Sequence, residues 1–273
     1  MPTLINCVRI LLLSFLLFSL ITLKAQKETP YQLNKRSDKD ILISSAGTYL
    51  IGLYMKETIR PMSITEINNK QIGELNFLDR QSWNGSSRIA RNRSDVLLRI
   101  GLATPFFMAF DQEVRRDYLE NAVLFAEVIL INNAVADWTK ALSRKARPYV
   151  YQSDVPIENK EGISAVHSFF SGHSSTVASY TFFTYHLMRQ YSDNSWLKGG
   201  TLAFAVILPT YTSILRVQAG KHFPTDVIAG SLIGAIIGYG VPEWHLKKAQ
   251  KHAQNSLFIS PTWNGIQLRY TLK

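Results

Sequence analysis

Cysteine is almost missing from this chain: Cys7 is the only one in 273 residues. It stands inside an N-terminal segment, MPTLINCVRILLLSFLLFSLITLKAQ, which has Arg9, an apolar run from Ile10 to Leu23 and a plausible cleavage point at Lys24-Ala25-Gln26. That layout is expected of a secretory leader over residues 1–25, with an uncleaved anchor as the alternative. A lipid-attachment role does not suit Cys7, because it precedes the apolar run. Cleavage would leave no thiol, no disulfide and no cysteine metal ligand, while still allowing an oxidising compartment. Internal repeats and low-complexity tracts are lacking too. So are zinc-knuckle spacings, RNP-like aromatic motifs and a concentrated basic helix, which leaves nucleic-acid binding with little support beyond charge.

Acidic residues are in short supply, 20 against 30 lysines and arginines, a formal net charge of +10. The excess suits an anionic partner, whether nucleic acid, a lipid headgroup or a phosphorylated small molecule. With 46% hydrophobic residues the chain can bury one sizeable core.

Long hydrophobic runs are scarce beyond the leader. A membrane span needs about 20 mainly apolar residues. Ile41–Met55, Val96–Phe110 and Val227–Val241 each have fifteen, and the second includes Arg99. These runs fall between buried core helices and spans. After a polar arm, Gln26 to Lys39, and the first of these runs comes a polar segment, Lys56 to Ser94, with a turn expected at Asn84–Ser87. Helices are expected from Val96 to Phe110, capped by Ser94 or Asp95; from about Arg116 to Leu142; from Ser171 or Gly172 to Tyr191; over Leu197 to Leu215; and from Pro224 to a stop before Pro242. Alternation around Asn264-Gly265 points to a short hairpin in the tail. The expected fold is all-α. Its parts are an N-terminal arm and helix at 26–94, a catalytic helical domain at 95–243 and a basic tail at 244–273.

Three polar constellations stand out. In KALSRKARP, Lys140 and Arg147 are seven residues apart, and they share one helix face if the helix continues that far. The same residues also fit a basic helix end that offsets its dipole, with Arg144 and Lys145 as solvated charge. In SFFSGHSS, Ser171 can cap a helix and Gly172 lets a ligand approach the backbone, so the free N–H groups there favour a phosphate-like anion. A plain capped helix with an incidental His173 fits equally well. In LRVQAGKHFPTD, Pro224 suits a first helical turn and Asp226 falls in that turn. His222 stands just outside, where Asp226 could accept its Nδ1 proton and free Nε2 for attack. The alternative is a capping aspartate beside a surface histidine.

Taken in order, Lys-x6-Arg-Pro, Ser-Gly-His and Arg-x5-His-x3-Asp resemble the type 2 phosphatidic acid phosphatase family, whose superfamily also holds nonspecific acid phosphatases and vanadium haloperoxidases. The motifs cover Lys140 to Asp226. Phe170 replaces the family's usual proline, and Leu215 its usual serine. The resemblance implies a helical bundle in which His222 is the nucleophile, oriented by Asp226, and His173 protonates the leaving oxygen and later activates water. Lys140, Arg147, Arg216, Ser171 and Gly172 would hold the phosphoryl oxygens. It implies no metal and no cofactor. The expected activity is metal-independent hydrolysis of a phosphomonoester or pyrophosphate of a lipid or amphiphile, with phosphatidate, polyprenyl pyrophosphate and lipid A as candidates. Alternatives are a soluble periplasmic acid phosphatase, a vanadate-dependent haloperoxidase and a noncatalytic anion-binding scaffold.

His167, His186, His245 and His252 show no metal-ligand spacing. Tyr149 and Tyr151 either border the substrate path or pack. The expected place is periplasmic and associated with the inner membrane, the site facing the periplasm. One argument limits that placement. If the leader and all six later stretches crossed a bilayer, the site would be cytoplasmic and the basic tail would lie outside, against the positive-inside tendency.

Overall fold

A computed structural model describes residues 29–31, 33, 35–82, 84–254, 258–262 and 265–269. The expected leader lies outside the described residues. Six helices of 20 residues or more make up the body: α1 (Lys35–Thr58), α2 (Arg88–Phe107), α3 (Tyr118–Ser143), α4 (Gly172–Tyr191), α5 (Ser195–Gln218) and α6 (Pro224–Gln254). Central α4 packs against α6, α5, α2 and α3, while α1 lies along α3. In the tail, β1 (Phe258–Thr262) and β2 (Gly265–Arg269) pair antiparallel, Thr262 opposite Gly265, which is the expected hairpin in an otherwise helical protein.

Three helices extend beyond the expected limits. α2 starts at Arg88, two turns before Asp95, because the Ser87 side chain caps it by accepting from the Ala90 N–H. The polar stretch Arg88–Asp95 reads as loop in sequence because its charged side chains serve the site described below. α1 begins within the polar arm. α6 runs through Pro242 to Gln254. Proline removes one helical hydrogen bond and crowds the preceding turn, but contacts on its far side hold the continuation: the Glu243 carboxylate accepts from His186 Nε2 at 3.0 Å, and His245 meets Glu127 at 2.7 Å.

The α4–α6 seam is built on glycine. A Cβ at Gly230, Gly234 or Gly238 would come within 2.6, 2.1 and 2.0 Å of the Ser171, Ser175 and Ser179 carbonyl oxygens. The four-residue spacing puts all three on one face of α6, so the two backbones approach closely along their length. Beside the seam, Leu124, Val128, Tyr180, Phe183 and Leu187 form the main apolar core, with Phe125 edge-on to Tyr180 at 4.9 Å.

Candidate active site

Helices α1, α3 and α5 end where α2, α4 and α6 begin, and the three motifs meet at that end of the body. The N-termini of α4 and α6 present free N–H groups and positive dipole ends there. α3 stops at Ser143 because Arg144 takes a left-handed conformation (φ 43°), its N–H returning to the Lys140 carbonyl. Arg147 therefore does not share a helix with Lys140, contrary to the expected common face. It reaches the site from an extended strand of chain ahead of Pro148.

Specific contacts join the motifs. Lys140 Nζ lies over Gly172, 3.2 Å from where a Cβ would stand, so any larger residue there would push the ammonium aside by a few tenths of an ångström. The Arg147 guanidinium donates to the Ser164 and Lys221 carbonyls at 2.8 and 2.9 Å. The Ser171 N–H donates to the Asp226 carbonyl at 3.0 Å. Ahead of His222 the chain turns at Gly220 (φ +62°), where a Cβ would fall 1.8 Å from the Gly85 oxygen.

His222 is 2% exposed. Its Nδ1 meets the Ser168 carbonyl at 2.7 Å, whereas Asp226 Oδ2 is 3.9 Å away. The direct His222–Asp226 hydrogen bond expected from the sequence is thus replaced. A carbonyl can only accept, so Nδ1 carries the proton and Nε2 keeps its lone pair. Asp226 acts one step back: its carboxylate accepts from the Ser168 hydroxyl at 2.5 Å and the Phe223 N–H at 2.9 Å, fixing the segments on both sides of the ring.

Lys145, read from sequence as solvated charge, is an internal tie. Its ammonium donates to Asp226 at 2.7 Å, Asp79 at 2.8 Å and Thr225 at 3.0 Å. Burial alone would raise the pKa of Asp79, but hydrogen bonds from Lys145 and Thr225 outweigh it and hold the carboxyl below its ordinary range. Asp95, expected as a cap, stands inside α2 and meets His173 Nε2 at 2.9 Å and Arg216 at 3.5 Å. Asp79 and Asp95 lie outside the sequence motifs, Lys145 fills an unspecified position within one, and all three depend on partners remote in sequence.

The cations here outnumber their acidic partners. Among the described residues Arg147 has only carbonyl partners, and Arg216 has one long carboxylate contact, Asp95 at 3.5 Å, while its buried Nε has none. Guanidinium groups removed from water without matching anions are costly, and an incoming dianion relieves that cost. The same field acts on the imidazoles. Burial, then Arg147 and Arg216, hold His222 well below its ordinary pKa, so the ring is neutral. Burial and Arg216 push His173 down to about 4 although Asp95 opposes them. His167, buried near Lys140 and Arg147, is likewise pushed to about 4, and its Nε2 lacks a partner.

Ser171 caps α4 by accepting from the Ser174 N–H at 3.4 Å and the Ser174 hydroxyl at 3.0 Å. Its own hydroxyl proton remains free to donate. Outside the cations, a pocket of about 480 Å³ is lined by Arg88, Arg91, Lys221, Tyr149 and Ser87 among others. Lys221 lies 5.0 Å above the Tyr149 ring, so Tyr149 borders the approach. Tyr151 packs edge-on against Phe223 at 5.9 Å.

Residues 121–250 match the family model described as PAP2 superfamily. This stretch is a PAP2 superfamily domain. The comparisons with curated proteins and with solved structures found no match. The PAP2 stretch carries every residue of the three motifs, whereas α1, Asp79, Arg91 and Asp95 reach the site from outside it.

Proposed function

We propose that this PAP2 protein is a metal-independent phosphatase acting through a phosphohistidine on a phosphorylated lipid or similar amphiphile. The observation that carries this reading is a neutral, buried His222 in the field of Arg147, whose partners are carbonyls, and Arg216, whose buried Nε has no partner and whose one carboxylate contact, Asp95, is 3.5 Å away. A transferring phosphoryl group spreads negative charge over its equatorial oxygens, and Lys140, Arg147, Arg216, the Ser171 hydroxyl and the Gly172 N–H are positioned to meet it. Nε2 of His222 forms the P–N bond as the P–O bond to the alcohol breaks. His173 gives the leaving oxygen its proton, then removes one from the water that attacks phosphorus and releases phosphate. His173 must be protonated for the first step; burial, then the Arg216 field, keeps it neutral, and the negative charge of the arriving dianion favours the protonated ring against both.

Three helices, α3, α5 and α6, are long and apolar enough to cross a membrane. Phe106, Phe107, Ile207, Ile214, Leu232 and Ile236 face outward. Such a surface favours membrane association and hence an amphiphilic substrate. We place the site on the periplasmic face of the inner membrane. A cleaved leader is compatible with that side only if α1–α6 do not all cross.

The test is phosphate release in EDTA from phosphatidate, a polyprenyl pyrophosphate, lipid A and a soluble aryl phosphate, with wild-type and His222→Ala chains. Loss of activity and of acid-labile phosphoenzyme in H222A supports the reading; turnover that survives H222A rejects it. Halide oxidation with vanadate and peroxide would instead favour the haloperoxidase reading. For the side, a C7S/S153C chain labelled in whole cells by an impermeant maleimide places the loop Gln152–Glu161 outside; absence of labelling until lysis overturns the periplasmic assignment.

A further inference from the structure

Buried ionisable side chains also gather at the end of the body away from the phosphate cradle. Asp38 of α1, Glu127 of α3 and His245 of α6 each offer one donor atom, and these atoms lie within 4.8 Å of one another. Among the described residues they are the one group of this kind. Relative exposures are 3%, 1% and 1%. At 1.5 Å per helical residue, Glu127 lies about 20 Å along α3 from Lys140, and His245 about 28 Å along α6 from Asp226, so the phosphatase chemistry makes no use of them.

The three side chains satisfy one another only in part: His245 Nδ1 lies 4.0 Å from Asp38 Oδ1, too far for a hydrogen bond. His245 Nε2 meets Glu127 Oε2 at 2.7 Å, while Glu127 Oε1, buried beside that contact, has no partner among the described residues. A carboxylate oxygen with no donor in such a place is costly, and a charged group within a membrane-crossing helix marks a site rather than filler. Asp38 is steadied from outside: the Ser37 hydroxyl donates to it at 3.0 Å, and Lys248 lies at 3.7 Å after donating to Ser37 at 2.6 Å. Lys248 thereby balances one carboxylate from the rim. The charge of Glu127 and the orphaned oxygen remain at the centre.

We infer that Asp38, Glu127 and His245 form a binding site for one divalent transition-metal ion, Zn²⁺ by its chemistry, that clamps α1 to the PAP2 domain. One imidazole and two carboxylates are ligands this ion takes at about 2.0–2.2 Å, commonly as three protein groups with a fourth, open position. Donors around such an ion are roughly 3.3 Å apart, so the His245–Glu127 pair opens slightly and Asp38 closes in. Binding displaces the proton shared by His245 and Glu127, which goes to solvent, and gives the ion both carboxylate charges. The three ligands come from three helices, one of them outside residues 121–250, so the site joins segments that apolar packing alone would hold less firmly.

The tag-free full chain, purified in detergent, is stripped with EDTA, incubated with excess Zn²⁺, dialysed and measured for metal content. The expected result is about one equivalent, at least fivefold less in E127Q and H245Q, and an apparent Tm that EDTA lowers and Zn²⁺ restores by roughly 5 °C. In the wild-type chain, Co²⁺ is expected to give the intense visible absorption of a four-coordinate site, a readout that needs no variant. No retained metal and no Co²⁺ spectrum overturn the inference, as does metal retained equally by both variants. Turnover of the aryl phosphate in EDTA, below the lowered Tm, reports on the cradle separately, so the two proposals fail independently.

Discussion

Replacing Lys145 by methionine removes one ammonium and leaves two carboxylates, Asp79 and Asp226, facing each other with side chains 0% exposed. Breaking a buried pair in this way costs about 3–5 kcal/mol, and the 25% exposure of the Lys145 side chain argues for the lower end. At roughly 2–4 °C per kcal/mol for a chain of this size, about 3 kcal/mol lowers the apparent Tm by about 6–12 °C. The pH dependence carries the physical test. In the wild type the depressed pKa of Asp79 contributes stability present above the ordinary carboxylate value and lost as pH falls through the folded one. In K145M one carboxylate is pushed above its unfolded value by the other, so the penalty is largest at neutral pH and is relieved on acidification. The wild-type and variant Tm values therefore converge as the buffer approaches pH 5. Thermal scans in detergent at one heating rate, repeated with K145M/D79N, measure this. The double variant is expected to recover at least half the loss. A K145M chain within about 2 °C of wild type at pH 7, or one whose deficit grows on acidification, would show that the tie is not energetically real.

Lys221 is held down to about 8 by burial and by Arg91, Arg147 and Arg216, so it loses its charge as pH rises through that value. KM should rise there, and Lys221→Arg should move that limb to higher pH; unchanged KM profiles in the two chains would count against Lys221 as a substrate contact. Asp95→Asn removes the charge that favours a protonated His173, and kcat should fall about tenfold or more on alkyl phosphates and much less on an aryl phosphate that leaves without a proton. Equal losses on both would assign Asp95 a purely structural part. Gly238→Ala forces a Cβ to 2.0 Å from the Ser179 oxygen and should cost about 1–3 kcal/mol or more, whereas Gly240→Ala, with nothing within 4 Å, should be neutral or slightly stabilising. Comparable Tm values for these two would contradict the tight α4–α6 approach.

Much of the site was legible in sequence because the family motifs place their polar groups at helix ends. Pro224 and Ser171 mark where α6 and α4 begin, and the structure starts both helices there. What the sequence conceals is partnership across distance. Lys145 looks like solvent-facing charge until Asp79, 66 residues earlier, comes to meet it. Asp95 looks like a cap because the helix start, two turns earlier at Ser87, is written in residues that serve the site rather than the core. The His222–Asp226 spacing predicts a contact, yet a four-residue offset also allows the Ser168 carbonyl to take that place, and backbone acceptors carry no residue-specific mark in a sequence. The Asp38, Glu127 and His245 group shows no spacing at all, since its members arrive on three helices.

The glycines of α6 also bear on how this protein can move. With no side chain between them, the facing backbones of α4 and α6 cannot press closer without collision, and the Ser171 N–H bond to the Asp226 carbonyl ties the cap at Ser171 to the turn at Pro224. Any widening of the site then comes from the flanking pieces, the chain around Arg147 and the first turns of α2, which carry Arg147, Arg88 and Arg91. An anion entering there would part the positive wall from a stationary His222.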